Sequence, residues 1–378
     1  MSIDLSDQFP ILAEGLYFNH AAIGPWPRCT SRAVQAFAEE NMSQGSLNYR
    51  EWIDRENTLR KRLAVLVGTS FPEDIALLKN TTEGISTVAW GIDWQPGDNV
   101  VLPRGEFPSN RLPWLAQAAR GVEIREVDIR TAENPESALI EAMDQETKLL
   151  SVSAVQWSDG FRLDLESLGA ACRQRNILFF VDAIQQLGAL PLDVDACQID
   201  FLAADAHKWL LAPEGIALFY CRQSARPRLT LQQQGWHMFD HPWLFDRKDW
   251  TPARSAKRFE AGSPNSIGQA ALLASVNLLL DYGMDKVGGR VLSNTDFLLK
   301  NLGKEPEIKL TSRTEPERRS GIVSFMHDRI PAKELHRALS AAGVSCVVRD
   351  QSIRLSPHFY QDEKHLSDFM MKLRIATN

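Results

Sequence analysis

The sequence predicts an α/β protein with a large domain, built on a mostly parallel seven-stranded sheet, and a smaller α+β C-terminal domain. Two observations carry this prediction. Through the middle of the chain, short apolar runs alternate with helix-like segments, which is typical of a parallel sheet covered by helices on both faces. After about residue 266 the strands become fewer and more widely separated, which indicates a second domain.

Seven short apolar runs are the expected strands of the large sheet, at residues 75–78, 100–102, 122–127, 149–155, 177–181, 201–203 and 216–220. Helices are expected between them, at residues 83–90, 110–119, 136–143 and 165–175. A long helix over 267–282 leads into strands at 322–325, 346–349 and 352–355. We therefore expect an N-terminal arm (1–25) that packs with the small domain, a large domain (26–265) and a small C-terminal domain (266–378).

Composition is that of an ordinary globular enzyme, with 44% hydrophobic and 24% charged residues among 378. The formal net charge of −6 and the scattered basic residues give no support for binding to nucleic acid or to a membrane. No apolar run approaches the length of a membrane span.

The five cysteines are widely spaced, without a CxxC pair or a His/Cys group that could hold a metal. Such a set indicates a reducing compartment rather than a disulfide framework. The first seven residues are acidic and lack an apolar signal core. We expect a cytoplasmic protein without a metal site.

Two motifs follow buried strands: Phe180-Val181-Asp182-Ala183-Ile184-Gln185 and Asp205-Ala206-His207-Lys208. Side chains at strand ends meet at the carboxyl edge of an open sheet, where ligands of α/β proteins bind. A lysine and a carboxylate there suit pyridoxal phosphate, whose aldehyde a lysine holds as a Schiff base and whose ring nitrogen a carboxylate keeps protonated. Either residue alone is explained as well by a surface lysine or a helix-capping aspartate. The two together favour the cofactor.

Four further features suit the same site. Asn80-Thr81-Thr82-Glu83-Gly84 opens a helix and could cradle a phosphate, although a plain N-cap explains it too. Phe107, in Glu106-Phe107-Pro108-Ser109-Asn110, could stack on a heteroaromatic ring or belong to the core. Arg354, in a short strand, could grip an α-carboxylate or form a surface ion pair. The polar stretch 258–265 would be an ordinary loop in isolation.

In this order, the motifs resemble the class V aminotransferase group of fold-type I pyridoxal phosphate enzymes. That group includes cysteine desulfurases, cysteine and cystine C–S lyases, kynureninases and epimerase-like members. The resemblance covers nearly the whole chain, from Tyr17-Phe18-Asn19-His20-Ala21-Ala22 to Arg354. It is specific for the superfamily and much less so for the reaction.

The resemblance implies roles for individual residues. Lys208 would form the Schiff base, Asp182 would pair with the ring nitrogen, and Gln185 would donate to the ring hydroxyl oxygen. Arg354 would hold the substrate carboxylate, and such enzymes are homodimers with sites at the subunit interface. The remaining cofactor contacts are expected from Thr82, Glu83, Phe107, Asp205, His207, Trp236 and Ser263, the last reaching the neighbouring subunit's phosphate.

Several aromatic residues and histidines could line the pocket or belong to the core or the interface. We expect His20 to contact the substrate and Trp236 the cofactor. The same alternatives stay open for Tyr49, Trp157 and His237.

Two departures from the desulfurase pattern bear on the reaction. Desulfurases of this group place a histidine over the cofactor ring, where this chain has Phe107. They also carry a nucleophilic cysteine on a loop before the carboxylate-binding arginine. Here Cys346 precedes Arg354 by eight residues (354 − 346) in a strand-like context, which favours a buried packing cysteine. Phe107 and Gly235-Trp236-His237 look more like kynureninase and its lyase-like relatives.

We therefore expect a pyridoxal phosphate enzyme that acts on a small amino acid, most consistent with a β-eliminating C–S lyase for cysteine-like substrates. A class V aminotransferase is the alternative, followed by an epimerase or a desulfurase-like enzyme without the persulfide cysteine. A catalytically inactive cofactor-binding protein or a sulfur-relay partner is the alternative from another class. The choice among these reactions depends on the pocket groups near His20, Tyr49, Trp157, Trp236 and His237.

Overall fold

The structure, a computed structural model, describes residues 4–377. The strands in this range are β1 (Leu16–Tyr17), β2 (Ile75–Leu78), β3 (Asn99–Pro103), β4 (Glu123–Val127), β5 (Thr147–Ser153), β6 (Leu178–Asp182), β7 (Phe201–Asp205), β8 (Ala217–Cys221), β9 (Ile308–Leu310), β10 (Val323–His327), β11 (Val344–Ser345), β12 (Val347–Arg349) and β13 (Ser352–Leu355). The α-helices are α1 (Leu5–Gln8), α2 (Ile11–Glu14), α3 (Arg28–Gln44), α4 (Tyr49–Val67), α5 (Thr81–Gly91), α6 (Leu112–Leu115), α7 (Pro135–Glu141), α8 (Leu165–Arg175), α9 (Ser266–Tyr282), α10 (Met284–Leu302), α11 (Ala332–Ala341) and α12 (Glu363–Thr377).

The large sheet has seven strands in the order β2-β8-β7-β6-β5-β3-β4. Strand β8 runs antiparallel to both of its neighbours, and the other four pairs are parallel. The predicted mostly parallel seven-stranded sheet is thereby confirmed, with every predicted strand within two residues of its observed position. Because β6 and β7 are adjacent and parallel, their carboxyl ends lie side by side at one edge.

Both faces of this sheet are buried. Successive residues of β6 alternate between two core clusters: Phe179 and Val181 pack in one, and Leu178 and Phe180 pack in the other. This alternation follows from the pleat of a strand, which points neighbouring side chains to opposite faces. The near-continuous apolar sequence of the central strands is therefore the signature of a doubly covered sheet.

One predicted helix is divided in the structure. The segment predicted as a helix over 110–119 contains the short α6 followed by a 3-10 helix, Ala116–Arg120, that ends at Gly121. Pro113 lies in the first turn of α6, where its missing N–H has no cost. The helix begins at Leu112, directly before the proline, and does not extend back to Asn110.

The C-terminal region forms a second, antiparallel sheet in the order β12-β13-β10-β9, with a separate core cluster beneath it. The N-terminal segment joins this region, since β1 pairs in parallel with β11. Phe18 and Leu16 complete the same core cluster.

The long helix α9 packs differently from its predicted place at the start of the small domain. It lies against α3 and α4, and its residues Leu272, Val276 and Leu279 belong to the core of the large sheet. The predicted boundary between residues 265 and 266 thus separates α9 from the elements that it contacts. Helix α10 spans both regions, with Val291 in the large core and Leu298 in the small one.

Among the described residues, no single helix is long and apolar enough to cross a membrane. The pair α9 and α10, bent by 83° at the break between them, passes the test of length and composition when taken together.

Replacing Phe180 by alanine should lower the free energy of unfolding by about 3–5 kcal/mol, because the ring is fully buried among large neighbours that cannot close the cavity. The matched control is Phe71→Ala, since this ring is 51% exposed; its cost should stay below about 1 kcal/mol. Denaturant unfolding measures both. Equal losses for the two variants would contradict the assigned core.

Candidate active site

Lys208 and Asp182 meet at the carboxyl edge of the large sheet. Asp182 ends β6, and Lys208 follows β7 by three residues. Both side chains are buried. Burial raises the pKa of Asp182, and the nearby Glu106 carboxylate raises it further against the opposing charge of Lys208. Burial also lowers the pKa of Lys208. The lysine is thereby biased toward its neutral amine, the form that can act as a nucleophile or a base.

Phe107 lies beside the lysine, as the sequence predicted for a residue at this edge. The Nζ atom of Lys208 is 5.5 Å from the centre of the Phe107 ring. Trp157 packs edge-on against the same ring, with 5.6 Å between ring centres, and its Nε1 donates to the Gly105 carbonyl at 3.0 Å. The two aromatic rings give the lysine an apolar wall on which a flat ring could stack.

The start of α5 has free hydrogen-bond donors. Asn80 caps the helix by accepting from the N–H of Glu83 at 2.9 Å. The N–H groups of Thr81 and Thr82 have no acceptor within residues 4–377. The Thr82 hydroxyl donates to the Ser109 hydroxyl at 2.9 Å. A helix N-terminus with free N–H groups and hydroxyls is a ready site for a phosphate.

Asp205 and His207 lie next to this helix start. The Thr81 hydroxyl accepts from the Asp205 N–H at 3.0 Å, which ties the end of β7 to α5. His207 Nδ1 lies 3.0 Å from Asp205 Oδ1 but outside hydrogen-bonding geometry, so this buried nitrogen has no partner among the described residues. It can therefore serve a ligand.

Gln185 connects the N-terminal segment with the turn that follows β7 and carries Lys208 (the lysine turn). Its Nε2 donates to the Ala21 carbonyl at 3.0 Å, and its Oε1 accepts from Trp209 Nε1 at 3.0 Å. An amide group carries two N–H bonds, so one of them stays free for a further acceptor.

Arg354 is almost fully buried on β13 without a carboxylate within 4.0 Å in the described chain. Its Nη1 donates to the Trp157 carbonyl at 2.5 Å, while Nε and Nη2 are buried and have no hydrogen-bond partner within residues 4–377. Burial lowers its pKa, and the charge of Arg349 lowers it further. A buried donor without a partner is costly, so this guanidinium is set up for an anionic ligand.

His20 is not available to a substrate, which corrects the predicted role. It is fully buried, with Nδ1 2.7 Å from the Ser356 carbonyl and Nε2 2.5 Å from the Tyr360 hydroxyl. Both ring nitrogens are therefore occupied. The ring also stacks on Trp209, the residue after Lys208, so His20 packs against the lysine turn.

The Glu83 carboxylate is held by the backbone at the start of α5. Its Oε2 accepts from the Lys79 N–H at 2.6 Å, which completes a helix cap. It lines a separate cavity together with Ser263 and Lys79. The contact of Glu83 with the cofactor stays a prediction.

Trp236 and Ser263 are likewise not brought to Lys208 within this chain. The Trp236 ring packs on Trp243 and Phe245. The backbone of Gly235 is so close to Ala261 that an added Cβ would lie 1.9 Å from the Ala261 carbonyl oxygen, which holds Trp236 beside the loop of Ser263. His237 lies on the same segment, 3.7 Å from Glu260, and Tyr49 packs against Trp243.

Two residues near the site were given no role from the sequence. Glu106 is buried behind Asp182, where it accepts from the Ser153 N–H at 2.7 Å and from Gln156 Nε2 at 3.0 Å. Glu106 begins the motif that follows β3, and this position could have identified it as a site residue. Arg349 lies on β12 next to Arg354. This proximity follows from the register of β12 and β13, which the sequence does not reveal.

The residues present fit pyridoxal phosphate. The start of α5 offers free donors for a phosphate, Phe107 offers a face for the ring, and Asp182 offers a buried carboxylate for the ring nitrogen. A positive N–H beside Asp182 would offset the burial that raises the pKa of this carboxyl group. Among residues 4–377, no group of three or more His, Cys, Asp or Glu side chains could hold a metal ion.

Comparison with known proteins agrees with this fit. The profile of the family described as aminotransferase class-V matches residues 16–365. A probable cysteine desulfurase of Methanothermobacter thermautotrophicus is 27% identical, over 91% of this chain and 86% of its own. The uncharacterized aminotransferase YcbU of Bacillus subtilis is also 27% identical, over 89% of this chain and 87% of its own.

A solved structure has the same fold. The complex of the cystine C–S lyase C-DES with its reaction product cysteine persulfide superimposes with a TM-score of 0.90, at 25% identity, over 97% of this chain and 99% of the other. The chain therefore belongs to the class-V aminotransferase family of pyridoxal phosphate enzymes.

Proposed function

We propose that this protein is a β-eliminating C–S lyase that acts on cysteine-like amino acids. The observation that carries the proposal is the combination of a buried Lys208 with a buried Arg354, whose Nε and Nη2 have no hydrogen-bond partner among residues 4–377, while the Cys346 thiol that precedes Arg354 is buried. The similarity to a cystine C–S lyase over nearly the whole chain supports it.

The residues around Lys208 divide the work of holding the cofactor. Pyridoxal phosphate, when bound, supplies an electron sink for the electrons that remain on Cα after its proton is removed. Asp182 would hold a proton on the ring nitrogen, and the free N–H of Gln185 would donate to the ring hydroxyl oxygen. Thr82, the N–H groups at the start of α5, and His207 with Asp205 would hold the phosphate. Phe107 would stack on the ring.

Arg354 and Lys208 would act on the substrate. The guanidinium has two free donor atoms and would bind the α-carboxylate with a pair of parallel hydrogen bonds. The lysine amine, whose pKa burial lowers, would take the α-proton. The bond between Cβ and sulfur then breaks, the thiolate leaves with the bonding electrons, and hydrolysis of the remaining fragment gives pyruvate and ammonium.

The alternative of a persulfide-forming desulfurase is disfavoured by Cys346. This residue is buried between β11 and β12, and burial raises the pKa of its thiol to about 12. A thiol with such a pKa supplies almost no thiolate at neutral pH. The chain then turns through Asp350, with φ of 52°, directly into β13, so no long loop precedes Arg354.

Transamination is the second candidate, since it requires the same residues and one relative is described as an aminotransferase. In transamination, Lys208 would return the proton to the cofactor, and no thiolate would leave the substrate. An epimerase would return the proton to the other face of Cα.

We also propose that the chain forms a homodimer with shared sites and is a cytoplasmic protein. The dimer would bring Ser263 and Trp236 to the partner's phosphate, which explains why they lie apart from Lys208 in one chain. Exposed Trp243 and Phe245 beside Trp236 give this region an apolar surface, as interfaces require. Five free cysteines among the described residues support a reducing location.

Light scattering should give a mass twice that of one chain, and Phe245→Asp should lower it toward the monomer because a charge would be buried at the interface. Met371→Asp, at an exposed position on α12, is the control and should keep the dimer. A monomeric wild type would contradict the shared site.

Incubation with cysteine or cystine should give pyruvate and a sulfur product without any keto acid. Lys208→Ala should lower this rate by about 100- to 10,000-fold, because the variant lacks the base at Cα. Lys148→Ala, which removes a partly exposed lysine paired with Asp98 on β5, should keep the rate. Mass spectrometry identifies the products. Turnover that occurs only when a keto acid is added would show that the protein is an aminotransferase and not a lyase.

Arg354→Met should abolish substrate binding and raise the free energy of unfolding by about 1–3 kcal/mol, because it removes a buried cation with unpaired donors. Arg60→Met is the matched control. Its guanidinium is buried too, but lies 2.6 Å from Glu56 and 2.6 Å from Glu260, so its loss should cost about 3–5 kcal/mol. Loss of stability in both variants would show that Arg354 is structural.

A further inference from the structure

Trp209, the residue directly after Lys208, is held at both its ring and its carbonyl group. Its Nε1 donates to Gln185 Oε1 at 3.0 Å. Its carbonyl oxygen lies 3.1 Å from Nε2 of His358, and a carbonyl oxygen can only accept, so the histidine is the donor. His358 follows β13, the strand that carries Arg354. The lysine turn is therefore hydrogen-bonded to the segment that directly follows the strand of Arg354.

His358 is neutral, and its proton lies on Nε2. The ring is fully buried, and burial lowers its pKa to about 4. Nδ1 accepts from the Phe359 N–H at 2.8 Å, so this nitrogen carries no proton. A neutral imidazole has a single N–H, which here points to the Trp209 carbonyl. The hydrogen bond to the lysine turn is thus present in one form at neutral pH.

The backbone of His358 is fixed as well. Asn294 of α10 donates through Nδ2 to the His358 carbonyl at 3.0 Å and to the Gln361 carbonyl at 3.2 Å. The His358 N–H donates to Gln361 Oε1 at 2.8 Å. Residues 352–361 are all buried. Because its backbone and its ring both have fixed partners, His358 holds the Trp209 carbonyl at a set distance from the small sheet.

Lys208 and Arg354 must act on adjacent atoms of one substrate. In the proposed reaction, Arg354 binds the α-carboxylate and Lys208 takes the proton from Cα, to which this carboxylate is bonded. The two side chains come from different sheets. Arg354 itself donates to the Trp157 carbonyl, and His358 donates to the Trp209 carbonyl. The second of these bonds reaches the lysine turn and so relates the base to the carboxylate anchor.

We propose that His358 is a positioning residue, which holds the Lys208 amine at Cα of a substrate whose carboxylate is bound by Arg354. The inference rests on the proposed roles of Lys208 and Arg354. In the step concerned, the proton moves from Cα to the lysine amine, and the electron pair of the C–H bond stays with the substrate and its cofactor. This step precedes elimination, transamination and epimerisation alike.

Exchange of the α-proton of L-alanine in D2O, followed by NMR on the holoprotein, measures this step alone, because alanine has no leaving group. His358→Leu removes the N–H and should lower the exchange rate about 10- to 100-fold, since a shift of about 1 Å in a reacting group has an effect of this order. The Kd of alanine should change less than about twofold, because Arg354 keeps its own contacts. His358→Gln, which retains an N–H donor, should exchange faster than His358→Leu.

Trp94→Phe is the matched control. The buried Trp94 ring donates its N–H to the Ala89 carbonyl at 2.7 Å, near the end of α5 away from the site. This variant also removes a ring donor from a buried carbonyl, so it should lower the melting temperature yet keep the exchange rate. Hydrogen–deuterium exchange of the peptide 205–213 gives a readout without turnover. Its amides should exchange faster in His358→Leu and as in the wild type in Trp94→Phe.

A wild-type exchange rate in His358→Leu would overturn the proposal, and so would an equal loss of rate in Trp94→Phe or a glutamine variant no faster than the leucine variant. The visible absorbance of the bound cofactor verifies loading, and His358→Met takes the place of a leucine variant that does not fold. The two proposals fail separately. Exchange that depends on His358, without pyruvate from any cysteine derivative, would support the positioning role and refute the lyase. Pyruvate formation with unchanged exchange in His358→Leu would do the reverse.

Discussion

The buried pair of Lys208 and Asp182, at the ends of two parallel strands, is the constraint on which the rest of the site depends. Burial acts on both charges, and the surrounding backbone holds the lysine turn in place. Gly24 packs so closely that a Cβ would lie 2.1 Å from the Lys208 carbonyl oxygen. Gly188, with φ of 94°, would place a Cβ 2.4 Å from the Trp209 carbonyl oxygen. The turn is thereby fixed on two sides, and the lysine is aimed by backbone contacts rather than by side-chain packing alone.

The fold and the centre of the site could be predicted from the sequence because their signals are local. Buried strands are apolar runs, and a polar residue that ends such a run or follows it within a few positions lies near the sheet edge, as Asp182 and Lys208 do. Contacts between distant segments have no such signal. His20 engages Ser356 and Tyr360, more than 330 residues away, so its burial could not be read from its neighbours. Glu83 shows a different limit, because a helix cap and a phosphate cradle share the same motif.

The pairing register of β12 and β13 explains why Arg349 could not be identified from the sequence. Arg349 and Arg354 are five positions apart, a spacing that in one strand would put them on opposite faces. The turn between β12 and β13 restores them to the same face. The same tight turn leaves no room for a long loop before Arg354, and Cys346 stays buried. One short hairpin therefore buries the Cys346 thiol, which favours elimination over persulfide transfer, and also places Arg349 beside Arg354.

We propose that Lys208 carries the cofactor. Borohydride treatment of the holoprotein, followed by proteolysis and mass spectrometry, locates the lysine to which pyridoxal phosphate is covalently attached. We expect the modification on the peptide that contains Asp205-Ala206-His207-Lys208 and on no other lysine. A modification at another lysine, or none in a protein loaded with the cofactor, would contradict it.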